Sequence, residues 1–232
     1  MIKPEIRKIV TSELSSYLLP LGYRLIKVKG ELIASFEKND NDYYYDFYSH
    51  TNRYNEYQLV YGFSFGINRI VEILKEIDLH TPLSSGAKYQ IGPSITGISP
   101  GRLLDPFSPD RAYKYFSTQE ELLVILEEVK FFYKNTFVPF CEKYSRFVEL
   151  DKLINSFDDF WIDSTEKSIP ISFFHVTRLI IARLANNPNY DEVVEKNYKA
   201  LEELWEKFGG VYDRNDQSKP EVFAARYLKE KY

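Results

Sequence analysis

Tyr44, Asp46 and Tyr48, with Gln58 and Ser64 further along, are the residues whose types and spacing could do chemistry. Alternate residues of an extended strand share one face. A carboxylate flanked by two phenols on such a face offers one acceptor group, two hydroxyls and a large area of ring. That set suits recognition, because tyrosine gives wide contact with a polar tip and few torsions to freeze. It does not by itself make a catalyst. His50 follows Asp46 by four residues and would face the same way, the order of a base and its orienting carboxylate. Four residues of strand span about 13 Å, well beyond the reach of a hydrogen bond.

The remaining candidates fail on their own requirements. Gly92 and Gly97 have the glycine spacing of a phosphate loop, but Ile98 stands where the phosphate-clamping lysine belongs and Pro93 removes a backbone donor. Asp158, Asp159 and Asp163 surround Trp161 without the glycine turn or closing glutamate of a calcium loop, and a solvated loop is the better reading. His80 near Asp78 and His175 on an apolar segment are single histidines, which form no metal-ligand spacing. His175, with Arg178 one turn on, reads as a packed helix residue. Cys141 follows Val-Pro-Phe with no basic neighbour to lower its pKa and reads as a buried, inert thiol. No motif calls for a cofactor or a metal.

The elements that would position the tyrosines follow from periodicity. Apolar residues at helical spacing run through 4–19, with Pro4 near the start and Pro20 and Gly22 at the end. The period then becomes two. Residues 23–28 and 32–36 flank Lys29-Gly30-Glu31 as a hairpin, 43–49 forms a third strand, and 57–65 a fourth after a turn at 52–55. Tyr43, Tyr45 and Phe47 then share one face with Tyr57, Leu59, Tyr61, Phe63 and Phe65, the natural core side. Tyr44, Asp46, Tyr48, Gln58 and Ser64 share the other, beside Gly62 and Gly66. Strand glycines mark a bulge or the close approach of another group.

Helical spacing returns at 68–77. The segment 78–117 is long and rich in Gly, Pro and Ser, with room for a strand at 88–95. Long irregular segments in compact domains tend to be functional or linking. Thr118 and Glu121 form a capping box for a helix whose stripe includes Leu122, Ile125, Leu126 and Val129, and Pro139 marks a break. Further helices are expected near 149–156, from Pro170, from an Asn189 cap to the Gly209-Gly210 stop, and from Ser218 onward. The fold class is α+β: an N-terminal helix, an antiparallel four- to five-stranded meander, then a mostly helical C-terminal half. Residues 1–116 form the sheet domain with its loop, and 117–232 a helical region, either separate or packed on the sheet as one unit.

The chain's 232 residues suffice for a real core. Aromatic residues make up 16%, from 19 Tyr and 17 Phe, so the rings must serve mainly as core. The formal charge of −4 lacks the basic excess on which phosphate binding depends, and single-strand binders pair stacking rings with a basic groove. Nucleic acid is therefore disfavoured. One cysteine precludes an intrachain disulfide, and neither a signal-peptide pattern nor a spanning apolar run is present. A cytoplasmic protein without a membrane partner is expected.

The order of a first helix, LLPLGYRLIKVKGELIASFEK, the aromatic strands and NRIVEILKEI resembles a class of uncharacterised bacterial domains of unknown function. LEEVKFFYKNTFVPFCEKYSRFVEL looks like their closing helix with its internal Pro-Phe. The resemblance covers about the first two-thirds of the chain; the helical tail from Ser164 departs from it. It implies the same helix–meander–helix plan, brings no catalytic residues, and points through relatives regarded as immunity proteins to partners such as toxins.

The resulting expectation is a non-enzymatic cytoplasmic protein that engages another protein, through Tyr44, Asp46, Tyr48 and Gln58. An acidic surface suits a basic partner such as a nuclease. The alternative is a small-molecule enzyme or ligand binder whose site lies between the sheet and loop 78–117, with Arg102 and Arg111 as anion contacts. A purely structural subunit with an exposed apolar helical face is the third reading.

Overall fold

The computed structural model describes residues 3–28, 32–53, 57–81, 96–98, 114–155 and 174–232. Arg102, Arg111, the glycine-spaced stretch before Thr96, the expected strand at 88–95 and the acidic cluster around Trp161 lie outside the described residues. Helix α1 (Lys3–Leu18) buries Ile6, Val10, Leu14 and Leu18 and runs into a 3-10 turn, Leu19–Leu21. Gly22 follows at φ 89°, a left-handed conformation that glycine enters without Cβ strain.

Six strands form one sheet: β1 (Arg24–Leu25), β2 (Leu32–Asn39), β3 (Tyr43–Arg53), β4 (Tyr57–Ile67), β5 (Thr96–Ile98) and β6 (Lys114–Phe116). The order is β1-β2-β3-β4-β5, with β6 also on β4, and every pairing is antiparallel. The fold is α+β, as the periodicity predicts. The second, third and fourth strands run longer than expected, the first is cut to Arg24–Leu25, and a sixth short strand joins the sheet. β3 runs into the turn expected at 52–55, because Asn52 and Arg53 still pair with Gln58 and Tyr57. The sixth strand, Lys-Tyr-Phe, is too short for its own periodicity to show.

Helix α2 (Asn68–His80) follows β4 directly. After β6 come α3 (Gln119–Phe132), a π-helical turn (Tyr133–Phe137), α4 (Val138–Tyr144), α5 (Phe147–Asn155), α6 (Phe174–Leu184), α7 (Tyr190–Lys207) and α8 (Pro220–Lys231). The capping box at α3 is present: the Glu121 amide donates to Thr118 Oγ1 at 3.2 Å and the Thr118 amide to Glu121 Oε2 at 3.1 Å.

Two expectations are corrected. Pro139 does not break the helix. A proline ring clashes with the carbonyl four residues back in a regular helix. The π-turn just before it changes that spacing, with the Val138 amide bonding Tyr133 O, so α3 continues into α4. At α7 the Asn189 side chain makes no cap. Its ψ of 30° is not the extended conformation that a capping residue adopts; instead Asn187 Oδ1 accepts the Asn189 amide at 2.8 Å.

The core lies between the sheet's first face and the helices. Phe36, Phe47, Phe63 and Phe65 are at most 1% exposed, each burial contributing roughly 1.5–3 kcal/mol. Phe63 stacks on Phe137 at 4.9 Å and on Phe132 at 6.1 Å, and Tyr45 meets Phe137 edge-on at 6.5 Å. One apolar cluster takes in α1, the sheet, α2 and residues of α3 through α8.

Candidate functional site

The register assembles the second face. Asp46 sits between Glu37 on β2 and Ser64 on β4, and Arg24 on β1 pairs with Glu37. A polar row therefore crosses four strands: Arg24, Glu37, Asp46, Ser64. Ser64 Oγ donates to Asp46 Oδ2 at 2.8 Å, and Tyr44 Oη donates to Glu37 Oε2 at 3.1 Å. Arg24 forms a salt bridge with the other oxygen of Glu37. Burial pushes the Asp46 carboxyl above its usual pKa, the Ser64 hydroxyl holds it down, and Glu37 raises it further. Burial also raises the Tyr44 phenol, with Asp46 and Glu37 adding to the effect. Two carboxylates thus stand side by side on adjacent strands, one neutralised by arginine and one held by a hydroxyl.

Tyr48 lies two residues along and is 38% exposed. Its ring crosses Gly62: a Cβ there would fall 2.7–3.0 Å from the phenol end. The close approach that strand glycines imply is made by this ring. Among the described residues, the ring contacts joining strands to helices leave from the opposite face, through Tyr45, Tyr61 and Phe63.

The structure brings Tyr44, Asp46 and Ser64 together, with Tyr48 adjacent. Gln58 is elsewhere. It is 4% exposed, opposite Tyr115 on β6, and six strand residues from Ser64 is about 20 Å. His50 shares the face with Asp46 but pairs with Val60, further down the strand. Glu37 and Arg24 are additions to the sequence reading. The alternation that found Asp46 would have found Glu37 had the second strand been continued past Phe36.

A second polar cluster, unforeseen in sequence, joins α5, α6 and α7. Asp151 accepts from Asn155 and Asn187, each at 2.7 Å, and Arg178 Nε donates to Asn155 Oδ1 at 2.9 Å. Asp151 and Arg178 are buried. Such a network fixes how helices meet, since each polar group finds its partner in only one arrangement. His175 belongs beside it: Nδ1 lies 3.0 Å from Asn197 Oδ1, and burial lowers its pKa. This is the packed histidine expected. Cys141 is buried, and burial raises its thiol well above the usual range.

Among the described residues, no group of three or more His, Cys, Asp or Glu side chains could hold a metal. No described helix is long and apolar enough to cross a membrane. No family model, no curated protein and no solved structure matches the chain.

Proposed function

We propose that this is a non-enzymatic binding protein that recognises a basic surface on another protein through the second face of its sheet. The observation that carries this reading is the Glu37–Asp46 pair, set in register between Tyr44, Tyr48 and Ser64. Carboxylates fixed by neighbouring hydroxyls, with phenol rings beside them, give directional acceptors and contact area together. With Arg24 balancing Glu37, Asp46 leaves the row one net negative charge, which favours encounter with a cationic partner, an effect that weakens with salt. An immunity- or adaptor-like role in the cytoplasm accords with this chemistry.

The test is a photo-crosslinking amino acid at position 48 in cells that naturally express the protein. It should yield a discrete protein adduct that is absent when the crosslinker stands at Leu79, which is 84% exposed at the end of α2. No adduct from position 48, or the same adducts from both positions, would reject the reading.

A further inference from the structure

On the core side of the sheet, opposite the acidic pair, a cleft of about 300 Å³ opens between the β2–β3 strands and the π-turn. Lys38 and Tyr45 form its sheet wall, Tyr133, Phe137 and Cys141 its helical wall, and Tyr23, just before β1, its floor. The size matches the lower end of small-ligand pockets, roughly 300–1,000 Å³, and suits a single-ring compound. The π-turn is itself a pointer, because wide turns inserted in α-helices recur at functional sites. Here the turn supplies Tyr133 and Phe137.

The floor carries a specific polar feature. Tyr23 is 4% exposed, and its hydroxyl makes no hydrogen bond of normal geometry; the Tyr133 phenol is close enough to take only a weak one from it. Buried hydroxyls are almost always bonded, and one bonded so weakly calls for an explanation. Tyr133 lies edge-on at 6.0 Å, and its phenol, Cys141 and Tyr45 are all close enough to act on the Tyr23 hydroxyl electrostatically. Burial is the main cause that raises all four groups, so each keeps its proton at neutral pH. The cleft therefore presents donors rather than anions. Its cation is Lys38, whose Nζ lies 5.4 Å from the centre of the Tyr45 ring. Glu142, exposed on the helical rim, disfavours a ligand with two negative charges.

We infer that this cleft binds a small, singly charged aromatic acid bearing a ring hydroxyl: the ring against Tyr45 and Phe137, the carboxylate toward Lys38, the hydroxyl oxygen accepting from Tyr23. Aromatic walls supply area, the lysine selects an acid over a neutral ring, and the Tyr23 hydroxyl exchanges a weak contact with Tyr133 for a well-placed acceptor. This site is independent of the acidic face.

The experiment is titration of the full-length chain with 4-hydroxybenzoate, followed by calorimetry and ligand-observed NMR, with p-cresol as the neutral comparison. Saturable one-to-one binding is expected, tighter for the acid than for p-cresol. Tyr23→Phe should weaken it by about three- to tenfold, the effect of one hydrogen bond, without lowering the denaturation midpoint. Lys38→Met, on the cleft's rim, should remove the preference for the acid. Absence of saturable binding at millimolar concentration overturns the inference. So does p-cresol binding as tightly as the acid, or an affinity that neither substitution changes.

Discussion

At the scale of single residues, Asp46 is held against its own preference. Its folded-state carboxyl pKa lies above the usual 3.8, chiefly through burial. The folded state therefore binds its proton more tightly than the unfolded chain does. The associated stability is present at low pH and lost as pH rises from about 3.8 through the raised value. At neutral pH the ionised group opposes folding, beside another carboxylate. Asp46→Asn keeps the acceptor for Ser64 and removes the charge. It should raise stability at pH 7 by about 0.2–1 kcal/mol, the scale of a cross-strand pair, and the gain should shrink near pH 4. Urea denaturation at both pH values checks this, and a loss of stability at pH 7 would show that the charge supports the fold. Strand alternation made Asp46 and Ser64 legible in the sequence, and the glycines signalled a close approach without showing that the Tyr48 ring makes it at Gly62. It missed Glu37, because Glu-Lys-Asn-Asp reads locally as the start of a turn and only pairing with β3 keeps it in the strand.

At the scale of elements, most signals held by neighbouring residues were readable, the Asn189 cap excepted, and those set by fit were not. The α3 capping box depends on Thr118 and Glu121 alone and appears as expected. The π-turn before Pro139 and the short β6 depend on what they pack against, and no local pattern announces them. The α5–α6–α7 junction is of the second kind. There His175 is half-buried against Asn197, with a pKa below the ordinary 6.5. The unfolded chain takes up that proton first as pH falls, so His175 lowers stability from about pH 6.5 downward until its own folded-state pKa is reached. Wild type should thus lose stability relative to His175→Gln between pH 7 and pH 5. Parallel denaturation curves measure the difference, and a constant gap across that range would place the imidazole in an environment as wet as the unfolded chain.

For the whole molecule, the described residues of both halves contribute to one apolar cluster, with Phe63 near its centre. Phe63 touches Phe47 from its own sheet and Phe132, Tyr133 and Phe137 from the helical layer. Phe63→Ala should destabilise by about 3–5 kcal/mol, and the tyrosine and helical signals should unfold together. A helical transition untouched by the substitution would mean that the halves fold separately. Sequence could not settle this, since periodicity tells which face of a helix is buried but not what buries it. The same arrangement leaves one sheet face to the core, and the acidic, tyrosine-bearing face is the one we propose for recognition. The most direct measurement is crosslinking from position 48 in the native cell, repeated with Glu37→Lys and Asp46→Lys together. The account predicts one discrete partner adduct that disappears on charge reversal, in a protein that still folds by circular dichroism. An adduct that survives the reversal would contradict recognition by this face.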